Sequence, residues 1–176
     1  MFGGIAGAII ITTAFKNIKG KISKQDMLCN IKIVVDTKKI YLRGMIDTGN
    51  FLKDPISKKP VIVVEKEALY GKIDKKLLDN LEGFISKDNI DIDENITRIR
   101  LIPFNSLGRE NGILTGIKVD YVVINYDFQD IYTGDVIMGI YDGKLSKTNK
   151  YTALIGLELL EYKGGSKNEY LETSKG

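Results

Sequence analysis

The chain contains no histidine. Ser-His-Asp and Cys-His nucleophilic machinery both need an imidazole base, so both are excluded. Catalytic zinc held by histidine is excluded as well. Cys29 is the single cysteine, which rules out an internal disulfide and any cysteine-cluster metal site. It lies in a strand-like run, where a thiol behaves as a small buried hydrophobe, and a lone thiol suits a reducing compartment. Charge of one sign is also scarce. The formal net charge of +3 is small and dispersed, and no stripe of interleaved aromatic and basic residues is present. Nucleic acid is therefore not an expected partner. Any chemistry must come from carboxylates, lysines, hydroxyls or a borrowed group, and neither metal nor cofactor is expected.

What is present describes one ordinary domain. A chain of 176 residues, 43% hydrophobic and 28% charged, is long enough to bury a core. Eighteen glycines point to many turns and a β-dominated fold. Residues 1–15 carry no charge and are small or apolar; they are too few to span a bilayer alone. With no basic stretch before them and Lys16 after them, they read as the C-terminal end of a transmembrane helix rather than as a signal peptide. Residues 16–26 hold Lys16, Lys19, Lys21 and Lys24 against Asp26 alone, a basic linker that would rest on anionic head groups on the cytoplasmic side.

From Met27 onward the pattern is strand after strand. MLCNIKIVVD and KIYLRGMI flank a polar turn at Asp36, Thr37, Lys38 and Lys39. Pro55 and Pro60 bracket a loop that feeds the β-branched run Val61–Val64. Ile73, Leu77, Leu78 and Leu81 then recur at helical spacing, with Gly83 as a stop. ITRIRLI, ILTGIKVDYVVI, DVIMGIY and TALIG supply further strands, and LELLEY a short helix. The domain expected over residues 27–162 is mainly β, with one inserted helix and a short C-terminal one. Residues 163–176 form a polar tail expected to be disordered. The acidic group Asp91, Asp93 and Glu94 lacks the spacing of a calcium loop. Lys144, Lys147 and Lys150 read as a solvated turn.

The informative segment runs Arg43-Gly44-Met45-Ile46-Asp47-Thr48-Gly49. An apolar strand passes directly into a tight turn and leaves a carboxylate at the strand end. Gly49 permits backbone geometry and close approach that a side chain would forbid, and the Thr48 hydroxyl can lock the loop. Alone, Asp-Thr-Gly is ordinary turn material. Near the C-terminus a second element follows: Leu154, Ile155 and Gly156, then the leucine-bearing Leu157-Glu158-Leu159-Leu160. Between the two lies a strand-turn-strand whose tip falls in Pro103–Gly112, including Asn105, Ser106, Leu107 and Gly108. By itself it reads as a plain surface hairpin.

Together and in this order, these elements resemble the retropepsin-like aspartic peptidases, in which a hydrophobic-hydrophobic-Gly strand packs behind the Asp-Thr-Gly loop. That resemblance implies a closed β-barrel, walls of the substrate pocket at Leu154, Ile155 and Gly156, and a flap closing over the substrate at the hairpin of Asn105, Ser106, Leu107 and Gly108. Asp47-Thr48-Gly49-Asn50-Phe51-Leu52-Lys53-Asp54-Pro55, Pro60–Glu65 and Ile102–Gly108 are similar to one bacterial family in particular, the sporulation sigma-E factor-processing peptidases of endospore formers. The likeness runs from Met27 to Leu160. It implies several N-terminal membrane spans and a cytosolic peptidase domain in which Asp47 is the catalytic carboxylate, supported by Thr48, Gly49 and Asn50. It further implies a sigma factor precursor as substrate, a location at the sporulation septum facing the mother cell, and a forespore signalling protein as activator. Asn50, where retroviral enzymes carry alanine or serine, is shared with the sporulation family.

One Asp-Thr-Gly supplies one carboxylate, while the chemistry needs two, so a symmetric homodimer is expected. Two rival readings stand beside the enzyme. One is a catalytically silent retropepsin-fold module for dimerisation at a membrane; the other is a structural β-domain in which Asp-Thr-Gly is only a turn.

Overall fold

The computed structural model describes residues 27–86, 97–106 and 109–161. Alternation of apolar and polar residues makes β1 (Leu28–Val35) and β2 (Lys38–Asp47) an antiparallel hairpin, paired from Leu28↔Met45 to Val35↔Lys38. Two residues make the reversal, Asp36 at φ 48° and Thr37 at φ 68°; Lys38 and Lys39, expected in the turn, already belong to β2. Left-handed backbone at both central positions matches the right-handed twist of the strands. Arg98 ties this turn down, 2.8 Å from Asp36 and 3.2 Å from Asp120.

β3 (Val61–Glu65) follows, buried at all five residues, and leads into a 3-10 turn over Lys66–Leu69. Helix α1 covers Lys75–Ser86. The stop expected at Gly83 is not used. Glycine in a helix interior costs only about 1 kcal/mol against alanine, while burial of Leu77, Leu78 and Leu81 in the core contributes about 1.5–3 kcal/mol each. β4 (Ile99–Ser106) and β5 (Arg109–Lys118) form a hairpin with a register shift between Phe104 and Ser106. Both strands therefore extend well into the Pro103–Gly112 stretch that sequence reads as turn. Pro103 is tolerated because β4 is an edge strand, where a missing N–H costs nothing to a neighbour. β6 (Tyr121–Tyr126), β7 (Gln129–Thr133), β8 (Ile137–Tyr141), β9 (Ala153–Gly156) and the single turn of α2 (Glu158–Glu161) complete the domain.

The nine strands form one sheet in the order β4-β5-β8-β3-β9-β2-β1-β6-β7. β2 runs parallel to β9 and β3 parallel to β8; the other neighbours are antiparallel. One face gathers Ile31, Ile33, Ile40, Ile46, Ile62, Val64, Ile117, Met138 and Ile155 with the leucines of α1 into a single core. Strands from both halves of the sheet share that core, so the sheet curves around it. The opposite face carries a smaller cluster of Val61, Val63, Ile102, Leu114 and Ile137, with Leu52, Phe104 and Leu154 half-buried against it.

The expectation of a closed barrel is corrected here. Among the described residues β4 pairs only with β5 and β7 only with β6, so the sheet is open. Closure needs the end strands to tilt and stagger into register. β7 instead is five residues long and exposes Gln129 and Asp130, the short polar edge that discourages further pairing. Residues 1–26 and 162–176 lie outside the described residues, and with them the expected membrane segment, basic linker and tail. So do Asp91, Asp93 and Glu94. No helix among the described residues is long and apolar enough to cross a membrane.

Candidate active site

Asp47 is the last residue of β2, half-buried, and pairs in parallel with Gly156 of β9, after Met45↔Leu154 and Ile46↔Ile155. Because side chains alternate along a strand, Ile46 enters the main core and Asp47 projects to the opposite face, the one that carries Leu154 and the smaller apolar cluster. The chain then reverses: the Asn50 amide donates to the Asp47 carbonyl at 3.1 Å, and the Gly49 amide donates to Asp47 Oδ1 at 2.9 Å. One carboxylate oxygen is thus held by its own turn.

Asn50 fastens this turn to the sheet. Its Nδ2 donates to the Val61 carbonyl at 3.3 Å, and its Oδ1 accepts from the Leu52 amide at 3.2 Å. The Val61 amide donates to the Leu52 carbonyl at 3.0 Å, and Lys53 pairs with Pro60 in an isolated bridge. Gly156 is needed sterically: a β-carbon there would lie 2.6 Å from the Asn50 backbone oxygen. Lys53 also reaches Glu158 of α2 at 2.8 Å, joining the two segments that flank Asp47.

Other sequence-selected residues fall out differently. Thr48 is exposed, and its hydroxyl has no partner among the described residues. A β-carbon on Gly49 would meet Asp47 Oδ1 at an ordinary 3.4 Å, so nothing within the described chain demands glycine there. Leu154 sits on the Asp47 face, but Ile155 is fully buried in the opposite core and lines no surface of the single chain. Asn105 is exposed near the end of β4; Ser106 pairs with Arg109; Leu107 and Gly108 lie outside the described residues. Phe104 packs inward over the apolar face, in space that Gly112 opposite leaves open.

An open hollow in the surface of the sheet lies away from this turn. About 430 Å³ in volume, it lies on β1, β2, β6 and β7 and is lined by Asn30, Lys32, Tyr41, Val123, Asn125 and Asp130 among others. None of its lining residues belongs to the Asp47 turn. Among the described residues no group of acidic or cysteine side chains could hold a metal ion.

Sequence reasoning gave no separate role to Asp54, which is 1% exposed in the loop after the Asp47 turn. Its Oδ2 accepts from the Ser57 hydroxyl at 2.5 Å and the Ser57 amide at 2.9 Å, and Arg100 Nε stands 3.7 Å away. Burial pushes this carboxyl up. The Ser57 hydroxyl and amide, the Ile56 amide and the Arg100 charge outweigh it, holding the group below the usual carboxylate range. The prolines around this loop were the available signal, since they mark a chain segment with a fixed shape.

Comparison with known proteins sets the chain in a class of peptidases. It belongs to the sporulation factor SpoIIGA family, peptidase family U4, whose sequence profile matches residues 1–159. The chain is 28% identical over 138 residues to the sporulation sigma-E factor-processing peptidase of Priestia megaterium, covering 77% of the chain and 45% of that protein. It is 26% identical over 152 residues to the protein of the same name from Bacillus subtilis, covering 84% and 49%. A shorter Bacillus thuringiensis subsp. kurstaki relative is 31% identical over 140 residues, covering 77% of the chain and 85% of that protein. The chain thus spans about half the length of the Priestia and B. subtilis relatives. No solved structure matches it.

Proposed function

We propose that the chain is the catalytic portion of a retropepsin-like aspartic endopeptidase that removes the pro-segment of a sporulation sigma factor. It works as a homodimer with one Asp47 from each subunit. The observation that supports this best is the placing of Asp47: a strand-end carboxylate on a hydrogen-bonded turn, braced by β9 and Gly156 on the sheet face that carries Leu154 and the smaller apolar cluster.

Two such turns meeting across a twofold axis bring two carboxylates to about 3 Å, where like charges cannot both persist and one proton is shared. The ionised partner takes a proton from the bound water, which attacks the scissile carbonyl. The protonated partner donates to the carbonyl oxygen, and the roles reverse as the amine leaves. Exposed Thr48 is free to brace the other subunit's turn. Exposed Phe51 and Leu157 stand beside Asp47 on the two segments that such a contact would cover. Residues 1–15 anchor the protein at the septal membrane with this domain on the mother-cell side, and a forespore signalling protein activates it.

The test is co-expression of the chain with a sigma factor precursor, with and without pepstatin, in parallel with Asp47→Asn. The expected result is cleavage by the wild type, none by the variant, and the same oligomeric state for both. Cleavage by Asp47→Asn would overturn the assignment; a dimer that never cleaves would favour the silent module.

A further inference from the structure

Asp54 Oδ1 is buried and, among the described residues, has no donor at full hydrogen-bond geometry, although the Ile56 amide lies close enough to favour the charged carboxyl. A buried carboxylate oxygen without a donor is unfavourable, so a donor able to reach it is favoured. The nearest cation is Arg100 of β4, whose Nε lies 3.7 Å from Oδ2, too far for a hydrogen bond. Arg100 Nη1 is occupied with the Thr97 and Ile99 carbonyls at 2.8 Å each, at the root of its own strand. A planar fork of five donors matches a carboxylate two bonds at a time. A shift of under about 1 Å would bring Nε to charge-assisted hydrogen-bond distance.

Arg100 belongs to the β4–β5 hairpin. β4 is an edge strand, and β5 is held to β8 only from Thr115 to Lys118, so its residues from Arg109 to Leu114 have no strand partner on that side among the described residues. Arg100 pairs with Gly116 at the base of that stretch. Asp54 is the hub of the loop that follows the Asp47 turn: its amide donates to the Lys59 carbonyl and its carbonyl accepts from the Lys58 amide, both at 2.9 Å. The Lys53↔Pro60 bridge and the Asn50 bonds to β3 carry that rigidity back to Asp47.

We propose that Asp54 and Arg100 are positioning residues: the buried carboxylate captures the guanidinium in a two-bond pair and so ties the β4–β5 hairpin to the loop that follows the Asp47 turn. The pairing is a property of the fold. Its effect on cleavage rests on the peptidase reading above.

Amide hydrogen exchange separates the two. Asn in Asp54→Asn still accepts from Ser57, so the loop keeps its turn while the charge that draws Arg100 is gone. The expected result is about tenfold faster exchange at Gly112–Gly116 in Asp54→Asn and in Arg100→Gln alike, a weak value for a lost charged hydrogen bond. β1–β2 amides stay at wild-type rates, the double variant is no faster than either single one, and Arg100→Lys recovers part of the protection. With a precursor, cleavage falls in the same order. Unchanged hairpin exchange in Asp54→Asn, or a double variant showing the product of the single effects, overturns the proposal. If the wild type cleaves nothing, the exchange result still decides the pairing.

Discussion

The backbone oxygen of Asn50 lies 2.6 Å from the point a β-carbon on Gly156 would occupy. The two residues belong to segments more than a hundred positions apart, and their contact sets the floor under the Asp47 turn. Since the clashing atom is backbone, no side-chain rotation relieves it. Gly156→Ala is expected to cost about 1–3 kcal/mol, the usual range for overpacking, and to push the turn away from β9. Urea midpoints read the first effect and precursor cleavage the second. Gly49→Ala is the contrast: with 3.4 Å available to Asp47 Oδ1, its stability should stay within about 0.5–1 kcal/mol of wild type. Cleavage lost in a stable Gly49→Ala protein would then report on another molecule approaching the turn.

Cys29 offers a pH-dependent measurement. Burial at 4% exposure pushes its thiol from the ordinary value near 9 up to about 12, with the Gly44 backbone pulling slightly the other way. The folded state therefore keeps the proton after the unfolded state has lost it. Stability contributed by the neutral thiol is complete below pH 9 and declines as pH rises toward 12, by about 1.4 kcal/mol per pH unit within that window. Comparing wild type with Cys29→Ala isolates this slope from the titration of tyrosines and lysines. Equal slopes in the two proteins would show that the thiol is not buried as described. A thiol reagent at neutral pH should likewise react with the native chain only as fast as it opens.

Much of this was legible beforehand because the relevant signals are local. Alternation in LCNIKIVV and KKIYLRGMID announces strands, the β-branched Val61–Val64 run announces a central one, and Ala-Leu-Ile-Gly before a leucine-bearing turn announces β9 and α2. Asp47, Gly156 and Asn50, chosen from motif and resemblance, are brought together by the parallel β2–β9 pairing. What stayed hidden depends on long-range packing. β7 is a polar edge strand whose QDIYT carries little apolar pattern, and an open sheet differs from a closed one only in what its end strands fail to pair with. The inward facing of Ile155 follows from the pleat once the register is known, not from composition. The Asp54–Arg100 approach joins positions with no pattern between them.

The β6–β7 turn shows how an unmarked hairpin can be tested. Asp127 at φ 50° and Phe128 at φ 58° make a two-residue reversal of the kind usually written Asn-Gly or Asp-Gly. Phe128 holds left-handed backbone with its ring wholly exposed, so no packing among the described residues repays the strain. That conformation costs a residue with a β-carbon about 1–2 kcal/mol, while glycine adds back about 0.5–1 kcal/mol through the freedom of the unfolded chain. Phe128→Gly is therefore expected to stabilise the protein by up to about 1 kcal/mol, raising Tm by about 2–4 °C for a domain of this size. Phe128→Ala, which keeps the β-carbon and removes the ring, should leave Tm within about 1–2 °C, because an exposed side chain contributes little. Thermal unfolding of the three proteins decides it. A fall in Tm for both variants would mean that the ring is covered in solution by another molecule, and that the turn is held for that contact.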